Sequence, residues 1–212
     1  MADLTYYRSH PWHGLPPGRQ IPDVVTAFIE MTPSDTVKYE IEKVSGHLKL
    51  DRPQKYSSSC PALYGFIPRT LCDKKVAELA RSNGGKKDIE GDQDPLDIMV
   101  ICERHVDQSG IIVDAVPIGG LKMFDGDEAD DKIIAVLEND PVYGHITSIH
   151  ELPEGLLDRV RHYFLTYKEM PDRYRDGKRK IEISQNYDRD TASQVIRAAL
   201  DDYNVRYYNA GQ

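Results

Sequence analysis

The aspartates of this chain are concentrated in two short segments, which is the clearest sign of chemistry in the sequence. Asp92, Asp94 and Asp97 form the first cluster, and Asp125 and Asp130 belong to a second acidic run. Carboxylates held this closely repel one another and raise one another's pKa unless cations neutralise them. Their hard oxygen atoms favour Mg²⁺ or Mn²⁺ over zinc or copper. The spacing therefore predicts a site for several divalent cations, and a strongly anionic substrate would be the reason for holding them.

The first cluster is expected at the mouth of a strand. In an extended segment Asp92 and Asp94 point to the same side, Pro95 restrains the backbone of Asp94, and Asp97 begins an apolar run. Three carboxylates at the end of a rigid strand could hold two metal ions. The simpler alternative is a solvated acidic turn, which is the usual interpretation of an isolated Asp-x-Asp pair.

The second cluster has its own simpler interpretation, an acidic or calcium-binding loop. Counted from Asp125, however, Asp130 stands where an EF-hand requires Gly, and Val136 stands where it requires Glu. The sequence also contains no complete P-loop, no nucleophile elbow and no His-Glu-x-x-His motif. These motifs therefore offer no competing assignment.

Basic and phenolic side chains accompany the carboxylates. Taken singly, each would be a surface charge or a core tyrosine. Beside metal-holding carboxylates they would form a site for a polyphosphate, because Lys and Arg hold phosphate oxygens and Tyr hydroxyls donate to them. These groups are Lys38, Arg52, Tyr64, Lys132, Tyr167 and Lys168.

The elements that position these groups are predicted to be strands in the first two-thirds of the chain. Apolar or alternating runs indicate the strands, and Ser45-Gly46 predicts a hairpin turn between the second and the third. Several short strands separated by turns favour an antiparallel barrel. The predicted strands are Val24–Met31, Val37–Glu42, His47–Asp51, Asp97–Cys102, Ile111–Val116 and Lys132–Leu137.

The last third of the chain is predicted to be helical. Apolar residues at helical spacing mark Glu154–Glu169. Thr191-Ala192-Ser193-Gln194 reads as a capping box for a second helix, whose apolar stripe includes Ile196 and Tyr203.

Residues 72–91 are predicted to be an inserted surface segment. The pattern indicates a short helix around Val76–Arg81, a break at Asn83-Gly84-Gly85 and two solvent-exposed lysines, Lys86 and Lys87. No chemistry is expected there.

Length, net charge and cysteine content indicate which classes of protein this chain can belong to. The 212 residues and 24.1 kDa suit a single domain over residues 1–212 with a well-developed core. The formal net charge of −8 argues against nucleic acid as a partner. No apolar run reaches membrane-spanning length and no signal peptide is recognisable. Three cysteines without a Cys-x-x-Cys pair fit reduced thiols in a cytoplasm.

The order of these motifs resembles that of the family I soluble inorganic pyrophosphatases, from about Val24 to Lys168. Each landmark is weak alone, but eight of them in the family's order form a specific match. They are Phe28–Met31, Val37–Ile41, Val44–Gly46, Leu50–Pro53, Tyr64–Pro68, Asp92–Asp97, Asp130–Val136 and Tyr163–Lys168.

The resemblance implies a fold that is mainly β with flanking α, a closed five-stranded OB-like antiparallel barrel plus C-terminal helices. It implies Mg²⁺-dependent hydrolysis of inorganic pyrophosphate to two phosphates by a metal-activated water, with several Mg²⁺ ions per site and Mn²⁺ as the alternative. It further implies a cytoplasmic homo-oligomer, a dimer or a hexamer, with neither nucleic acid nor membrane as a partner.

The resemblance also assigns metal ligands, position by position. Asp92, Asp97 and Asp130 would hold the first metal, and Asp97 would bridge to the second. Asp125 and Asp130 would hold a metal that arrives with substrate, and Glu30 would act through metal-bound water.

The remaining roles concern catalysis and substrate. Asp94 would be the general base on the attacking water, and Glu40 would support the site from behind. Lys38, Arg52 and Tyr64 would act as catalytic groups and bind the phosphates, together with Lys132, Tyr167 and Lys168.

Several positions depart from the family pattern. Cys60 stands where many members have Tyr, and Leu63 stands where Asn is frequent, so one outer hydrogen bond to the site is expected to be missing or supplied elsewhere. Gln93 replaces a small residue or Asn and is expected to point away from the site. The 72–91 segment is longer than in most members.

From the residues alone, three other classes stay open. One is a different metal-dependent phosphotransfer enzyme, such as a nucleotide pyrophosphatase or a sugar transferase using Asp-x-Asp, although no Rossmann-like βαβ pattern supports the transferase. The second is a non-catalytic Mg²⁺- or Ca²⁺-binding module. The third is an OB-type nucleic-acid binder, which rests on fold analogy alone and is opposed by the net charge.

Overall fold

The computed structural model describes residues 9–82, 88–168 and 180–208. The predicted break at Asn83-Gly84-Gly85, the lysines Lys86 and Lys87, and Glu169 at the end of a predicted helix lie outside the described residues.

The described residues form ten strands, three α-helices and a 3₁₀ turn at Ile149–Glu151. The strands are β1 (Val25–Met31), β2 (Val37–Ile41), β3 (Leu48–Pro53), β4 (Leu63–Phe66), β5 (Glu90–Gly91), β6 (Asp97–Ile101), β7 (Ile111–Asp125), β8 (Glu128–Ala129), β9 (Lys132–Leu137) and β10 (Ile181–Asp188). The helices are α1 (Lys74–Ser82), α2 (Glu154–Thr166) and α3 (Arg189–Tyr207).

Eight strands form one sheet in the order β1-β4-β6-β9-β7-β8-β5, with β10 on β7, and β2 and β3 form a separate hairpin. Strand β1 pairs with both β4 and β7, so the pairings β1–β4–β6–β9–β7–β1 link five strands in a ring. The predicted strand number is therefore wrong for the whole sheet, since β5, β8 and β10 extend the ring.

The prediction of an all-antiparallel arrangement is also wrong, because β6 and β9 are parallel. A parallel pair needs a long crossover between its strands. Here the connection contains β7, which runs antiparallel to β9 on that strand's other side. This topology places the starts of β6 and β9 at the same edge of the sheet.

Strands β6 and β9 are buried on both faces. Ile98 and Val100 belong to a core cluster that includes residues of α1 and α3, whereas Met99 and Ile101 belong to a second cluster with residues of α2. Alternate residues of a strand point to opposite faces, so two cores share this sheet. The double burial explains why both strands appear in the sequence as continuous apolar runs.

Five strand predictions agree with the structure to within about two residues, namely those for β1, β2, β3, β6 and β9, and the β2–β3 hairpin is confirmed. Strand β7 continues nine residues beyond the predicted Val116. It does so through a register shift between Pro117 and Gly119, because a bulge accommodates a proline without ending the strand. Strands β4, β5, β8 and β10 have no counterpart among the predictions.

The helices also differ from prediction at their ends. Helix α2 begins at Glu154 as predicted and ends at Thr166. Helix α3 begins at Arg189, and its N-cap is Asp188, whose side chain accepts a hydrogen bond from the Thr191 N–H at 2.9 Å. The capping box predicted at residues 191–194 is therefore wrong, since the carboxylate upstream supplies the cap.

Helix α1 lies within the segment predicted to be a surface insertion. Its residues Val76, Ala77 and Ala80 are buried, and Val76 and Ala80 belong to the same core cluster as Ala192 and Val195 of α3. One face of the segment is thus part of the core.

Across the described ranges, no helix combines the length and the apolarity needed to cross a membrane.

Asp140 ties together the distal ends of the two parallel strands. It follows β9, and its carboxylate accepts hydrogen bonds from the N–H groups of Glu103 at 2.7 Å, Val142 at 2.9 Å and Tyr143 at 2.7 Å. Burial acts to raise the pKa of Asp140, but these three N–H donors hold it below its usual value.

We expect Asp140→Ala to lower the free energy of unfolding by about 3 kcal/mol at neutral pH, because it leaves three backbone donors without their ionised acceptor. A carboxyl with a lowered folded-state pKa stabilises the fold above its unfolded pKa, about 3.9, and loses that effect as pH falls through the folded value. The difference between wild type and variant in urea unfolding should therefore shrink below about pH 4. A difference independent of pH would contradict this role.

Candidate active site

The two acidic segments open into one cavity of about 250 Å³. It is lined by every site residue predicted from the sequence except Arg52. The predicted residues in the lining are Glu30, Lys38, Glu40, Tyr64, Asp92, Asp94, Asp97, Asp125, Asp130, Lys132, Tyr167 and Lys168. A larger groove of about 510 Å³ opens beside Pro61 and Arg159, but it contains none of these groups. The smaller cavity is therefore the candidate active site.

Arg52 lies apart from the cavity lining. It stands on β3 opposite Lys38 of β2, and its guanidinium donates to the carboxylate of its neighbour Asp51. Lys38 Nζ lies 3.5 Å from the same Asp51 carboxylate and 2.7 Å from Glu40 Oε2. Arg52 and the cavity lysine are thus linked through one shared carboxylate.

Lys132 is at the centre of the cavity's charge arrangement. The parallel register of β6 and β9 sets Asp97 beside Lys132, and the Lys132 ammonium donates to the carboxylates of both Asp97 and Asp130. Only 1% of the Lys132 side chain is exposed. Burial opposes its charge, but Asp130 and Asp97 together raise the pKa of Lys132 well above its usual value.

Asp97 has a second donor. Tyr64 of β4 donates its hydroxyl to Asp97 Oδ2 at 2.6 Å. Burial, followed by the negative charge of Asp97, raises the pKa of Tyr64 well above its usual value. The phenol therefore stays a neutral hydrogen-bond donor across the physiological pH range.

Three carboxyl groups of the cavity are protonated more readily than usual. Burial and then the charge of Asp130 raise the pKa of Asp92 to about 8. Burial raises the pKa of Glu30 to about 8, although its carboxylate accepts the Ile41 N–H at 2.7 Å. Burial also raises the pKa of Asp130, against the opposing effect of Lys132. Each would be stabilised in its ionised form by added positive charge.

Asp125 is held in the opposite state. Lys168 Nζ lies 2.7 Å from its Oδ2 and Lys180 Nζ lies 2.9 Å from its Oδ1. Burial alone would raise the pKa of Asp125, but these two lysines bring it below its usual value. Asp125 is therefore ionised and paired with two lysines, unlike the three carboxyls whose pKa is raised.

Asp94 is the most accessible carboxylate of the first cluster, with 49% of its side chain exposed. The ammonium of Lys43 donates to it. Lys43 and Glu128 both line the cavity, and no sequence pattern anticipates either. Lys43 lies in the turn after β2, so only the three-dimensional path of the hairpin brings it to Asp94.

The turn that carries the first cluster has a left-handed residue at its centre. Gln93 has φ of 64°, which is an uncommon conformation for a residue with a side chain. The Asp94 N–H donates to Asp92 Oδ1 at 2.9 Å, and Gln93 donates its amide to Asp73 Oδ1 at 2.8 Å. The Gln93 side chain therefore points away from the cavity, as predicted.

Cys60 and Leu63, which depart from the family pattern, lie outside the lining of the acidic cavity. The Cys60 thiol donates to the Ala62 carbonyl at 3.2 Å, and burial raises the pKa of Cys60 to about 12. Leu63 is buried in the core. Neither residue lines the acidic cavity, so neither supplies a hydrogen bond within it.

The donor set suits a hard divalent cation. In the described part of the chain, no three His, Cys, Asp or Glu side chains are grouped closely enough to enclose a metal ion as they stand. At the centre of the cavity, the Lys132 ammonium binds Asp97 and Asp130. The surrounding carboxyl oxygens, several with a raised pKa, nevertheless have the chemistry that Mg²⁺ or Mn²⁺ prefers.

Comparison with known proteins gives one consistent family. The family model described as inorganic pyrophosphatase matches residues 27–204. The chain is 47% identical over 196 residues to an inorganic pyrophosphatase of Chlamydia trachomatis, covering 92% of this chain and 94% of the relative. It is 34% identical over 195 residues to soluble inorganic pyrophosphatase 1 of Arabidopsis thaliana, covering 92% of this chain and 80% of the relative.

The fold agrees with this match. The crystal structure of an inorganic pyrophosphatase from Thermus thermophilus superposes with a TM-score of 0.75 at 30% sequence identity. The superposition covers 93% of this chain and 99% of that structure.

We expect Lys132→Met to lower the free energy of unfolding by about 3–5 kcal/mol when divalent cations are removed with EDTA, because it leaves buried carboxylates without their cation. Urea unfolding at neutral pH measures this. Lys168→Met is the matched control: its side chain is 31% exposed and Asp125 keeps Lys180, so the loss should stay near or below about 1 kcal/mol. Equal losses for the two variants would contradict the central position of Lys132.

Proposed function

The chain belongs to the inorganic pyrophosphatase family, and on that premise we propose that it hydrolyses inorganic pyrophosphate in the acidic cavity with the help of Mg²⁺. The enzyme class is a hydrolase of the diphosphate bond. The observation that carries the site assignment is the convergence of both acidic segments on one cavity, which lysines and tyrosines that can bind phosphate also line.

We propose that Asp92, Asp97 and Asp130 would hold the first ions and that Asp97 would contribute to more than one of them. Asp125 would take part in holding an ion that arrives with the substrate, and Glu30 would contact the ions through water. When bound, Mg²⁺ would supply Lewis acidity toward the phosphate oxygens and the attacking water. Mn²⁺ offers the same oxygen-ligand chemistry.

The chain's own cations would bind the phosphates. Lys38 and Lys168 present ammonium groups to the cavity with 21% and 31% of their side chains exposed, and Tyr167 is buried beside Lys168. Phosphoryl transfer depends mainly on positioning and on stabilising the charge that develops on the phosphate oxygens. We propose that Lys38, Lys132, Lys168, Tyr64 and Tyr167 do both, and Arg52 would have to move from Asp51 to join them.

Asp94 is proposed as the general base. Its carboxylate is the half-exposed one of the first cluster, so water can reach it, and it stands between Asp92 and Asp97 in the same turn. It would accept the proton of the attacking water while Glu40 keeps Lys38 in place through their hydrogen bond.

The remaining features of the family resemblance are part of this proposal. We propose that the five-strand ring is a closed OB-like barrel, that residues 1–212 form one domain with residues 72–91 as an insertion, and that the protein works as a cytoplasmic homo-oligomer.

A phosphate-release assay tests the function. The purified protein should release two phosphates per pyrophosphate in the presence of Mg²⁺ and none after chelation by EDTA. ATP and a nucleotide sugar, assayed in parallel, should be poor substrates. Faster release from ATP would favour a nucleotide-hydrolysing enzyme, whereas Mg²⁺ binding without any phosphate release would favour a non-catalytic metal-binding module.

We expect Asp94→Asn to lower kcat by a factor of about 10²–10⁴, the range for loss of a general base, while the fold and Mg²⁺ binding are kept. Steady-state kinetics, circular dichroism and calorimetric Mg²⁺ titration measure these three properties. Asp107→Asn, in an exposed loop remote from the cavity lining, is the matched control and should keep wild-type turnover. Near wild-type activity of Asp94→Asn would remove Asp94 from this role.

A further inference from the structure

The two ends of the 72–91 segment meet at the turn that carries the first acidic cluster. A Cβ atom on Gly91 would lie 2.3 Å from the Cys72 carbonyl oxygen, so only glycine allows this approach. The Cys72 N–H donates to the Asp94 carbonyl at 2.8 Å, and the Gln93 N–H donates to the Cys72 carbonyl at 3.0 Å. The start of the segment is thus paired directly with the backbone around Asp94.

The end of the segment is paired with the second acidic cluster. Strand β5 runs parallel to β8, and the Glu90 N–H donates to the Asp127 carbonyl at 3.0 Å. Strand β8 lies between Asp125 and Asp130. One segment therefore contacts both acidic loops through backbone hydrogen bonds.

Helix α1, within the segment, is held at its start by a carboxylate from another element. Asp202 of α3 is 5% exposed, and it accepts the N–H groups of Asp73 at 3.1 Å, Lys75 at 3.0 Å and Val76 at 3.1 Å. A negative charge here satisfies the free donors of the first helical turn and interacts favourably with the helix dipole.

The other end of α1 is also fixed. The buried Lys122 of β7 donates to the Ala80 carbonyl at 2.8 Å. Arg81 donates through Nε and Nη2 to the Ile89 carbonyl at 3.1 and 2.9 Å. Ile89 immediately precedes β5, so Arg81 connects the end of the helix to the strand that meets β8.

We infer that the described parts of the 72–91 segment, residues 72–82 and 88–91, brace the two acidic loops against each other, and that Asp202, outside the cavity, is a positioning residue that keeps this brace docked. The inference rests on the proposed function, because the geometry it maintains is that of the proposed metal ligands. Loop carboxylates repel one another, so their separation must be set by the backbone that carries them. Groups that orient metal ligands typically change metal affinity 10–100-fold when removed.

The test compares two neighbouring aspartates of α3. Asp202→Ala removes the contact with the start of α1, whereas Asp201→Ala, the matched control, removes only a surface ion pair with Lys75 whose Nζ–Oδ2 distance is 2.8 Å. Each variant is measured by hydrogen–deuterium exchange, by calorimetric titration with Mg²⁺ alone, and by steady-state kinetics.

We expect Asp202→Ala to speed amide exchange in residues 88–97 and 126–131 and to weaken Mg²⁺ binding about 10-fold. Because the loop geometry affects the reaction itself as well as ion binding, kcat should fall even at saturating Mg²⁺. Asp201→Ala should leave all three properties unchanged. Faster exchange confined to α1, with wild-type Mg²⁺ affinity, would overturn the inference and leave Asp202 a purely structural cap.

A second variant covers the case in which Asp202→Ala does not fold. Arg81→Gln removes the connection from α1 to the Ile89 carbonyl while leaving the Asp202 contact in place, and it should reproduce the faster exchange at 126–131. Unchanged exchange there would overturn the inference. Amide exchange and Mg²⁺ affinity do not depend on turnover. If the wild-type protein releases no phosphate, the proposed function is wrong, and these two measurements still test whether the segment braces the loops.

Discussion

One buried ion-pair cluster organises the cavity. The Lys132 ammonium, almost fully removed from solvent, binds the carboxylates of Asp97 and Asp130. Removing charges from water is costly, and a buried cation is tolerated only when its partners are close and ionised. Backbone geometry supplies the closeness, because the parallel register of β6 and β9 sets Asp97 beside Lys132. The crossover through β7, which makes β6 and β9 parallel, thus brings the Asp97 carboxylate to the Lys132 ammonium.

The charge balance around this cluster is incomplete. Lys168 and Lys180 hold Asp125 in its ionised form. Asp92 and Glu30, by contrast, lie in surroundings that favour their protonated forms, and burial raises the pKa of Asp130 although Lys132 donates to it. A core optimised only for stability would replace such groups with apolar residues of similar size. Buried carboxyl groups that lower stability are typical of functional sites, where they are retained to bind a charged ligand.

Sequence reasoning predicted the residues that line the cavity better than it predicted the topology of the sheet. Asp92, Asp94 and Asp97 could be predicted as one site because their spacing is local and the apolar run after Asp97 marks a strand. The parallel β6–β9 pairing could not, since strand partners are chosen across long sequence separations. The roles of Lys43 and Asp202 could not be predicted for the same reason. Lys43 lies in a hairpin turn and Asp202 lies beside an exposed aspartate on a helix, and each meets its partner only in the folded chain. The predicted N-cap of α3 was wrong for a local reason. Asp188 and Thr191 are both residue types that cap helices, and Asp188 is the one that does so here.

The described part of the segment between residues 72 and 91 contributes no side chain to the cavity lining, but it contacts the loops that do. Loops gain freedom when their charges repel, and ordering each loop residue costs conformational entropy of about 1–2 kcal/mol. A strand end restrains Asp97, whereas Gln93 lies in a turn and the stretch from Asp125 to Asp130 contains only the two-residue strand β8. Both are paired instead with one short segment whose helix packs on α3. Because that packing is part of the apolar core, the core's stability is transmitted to two loops that could not acquire it from their own acidic side chains.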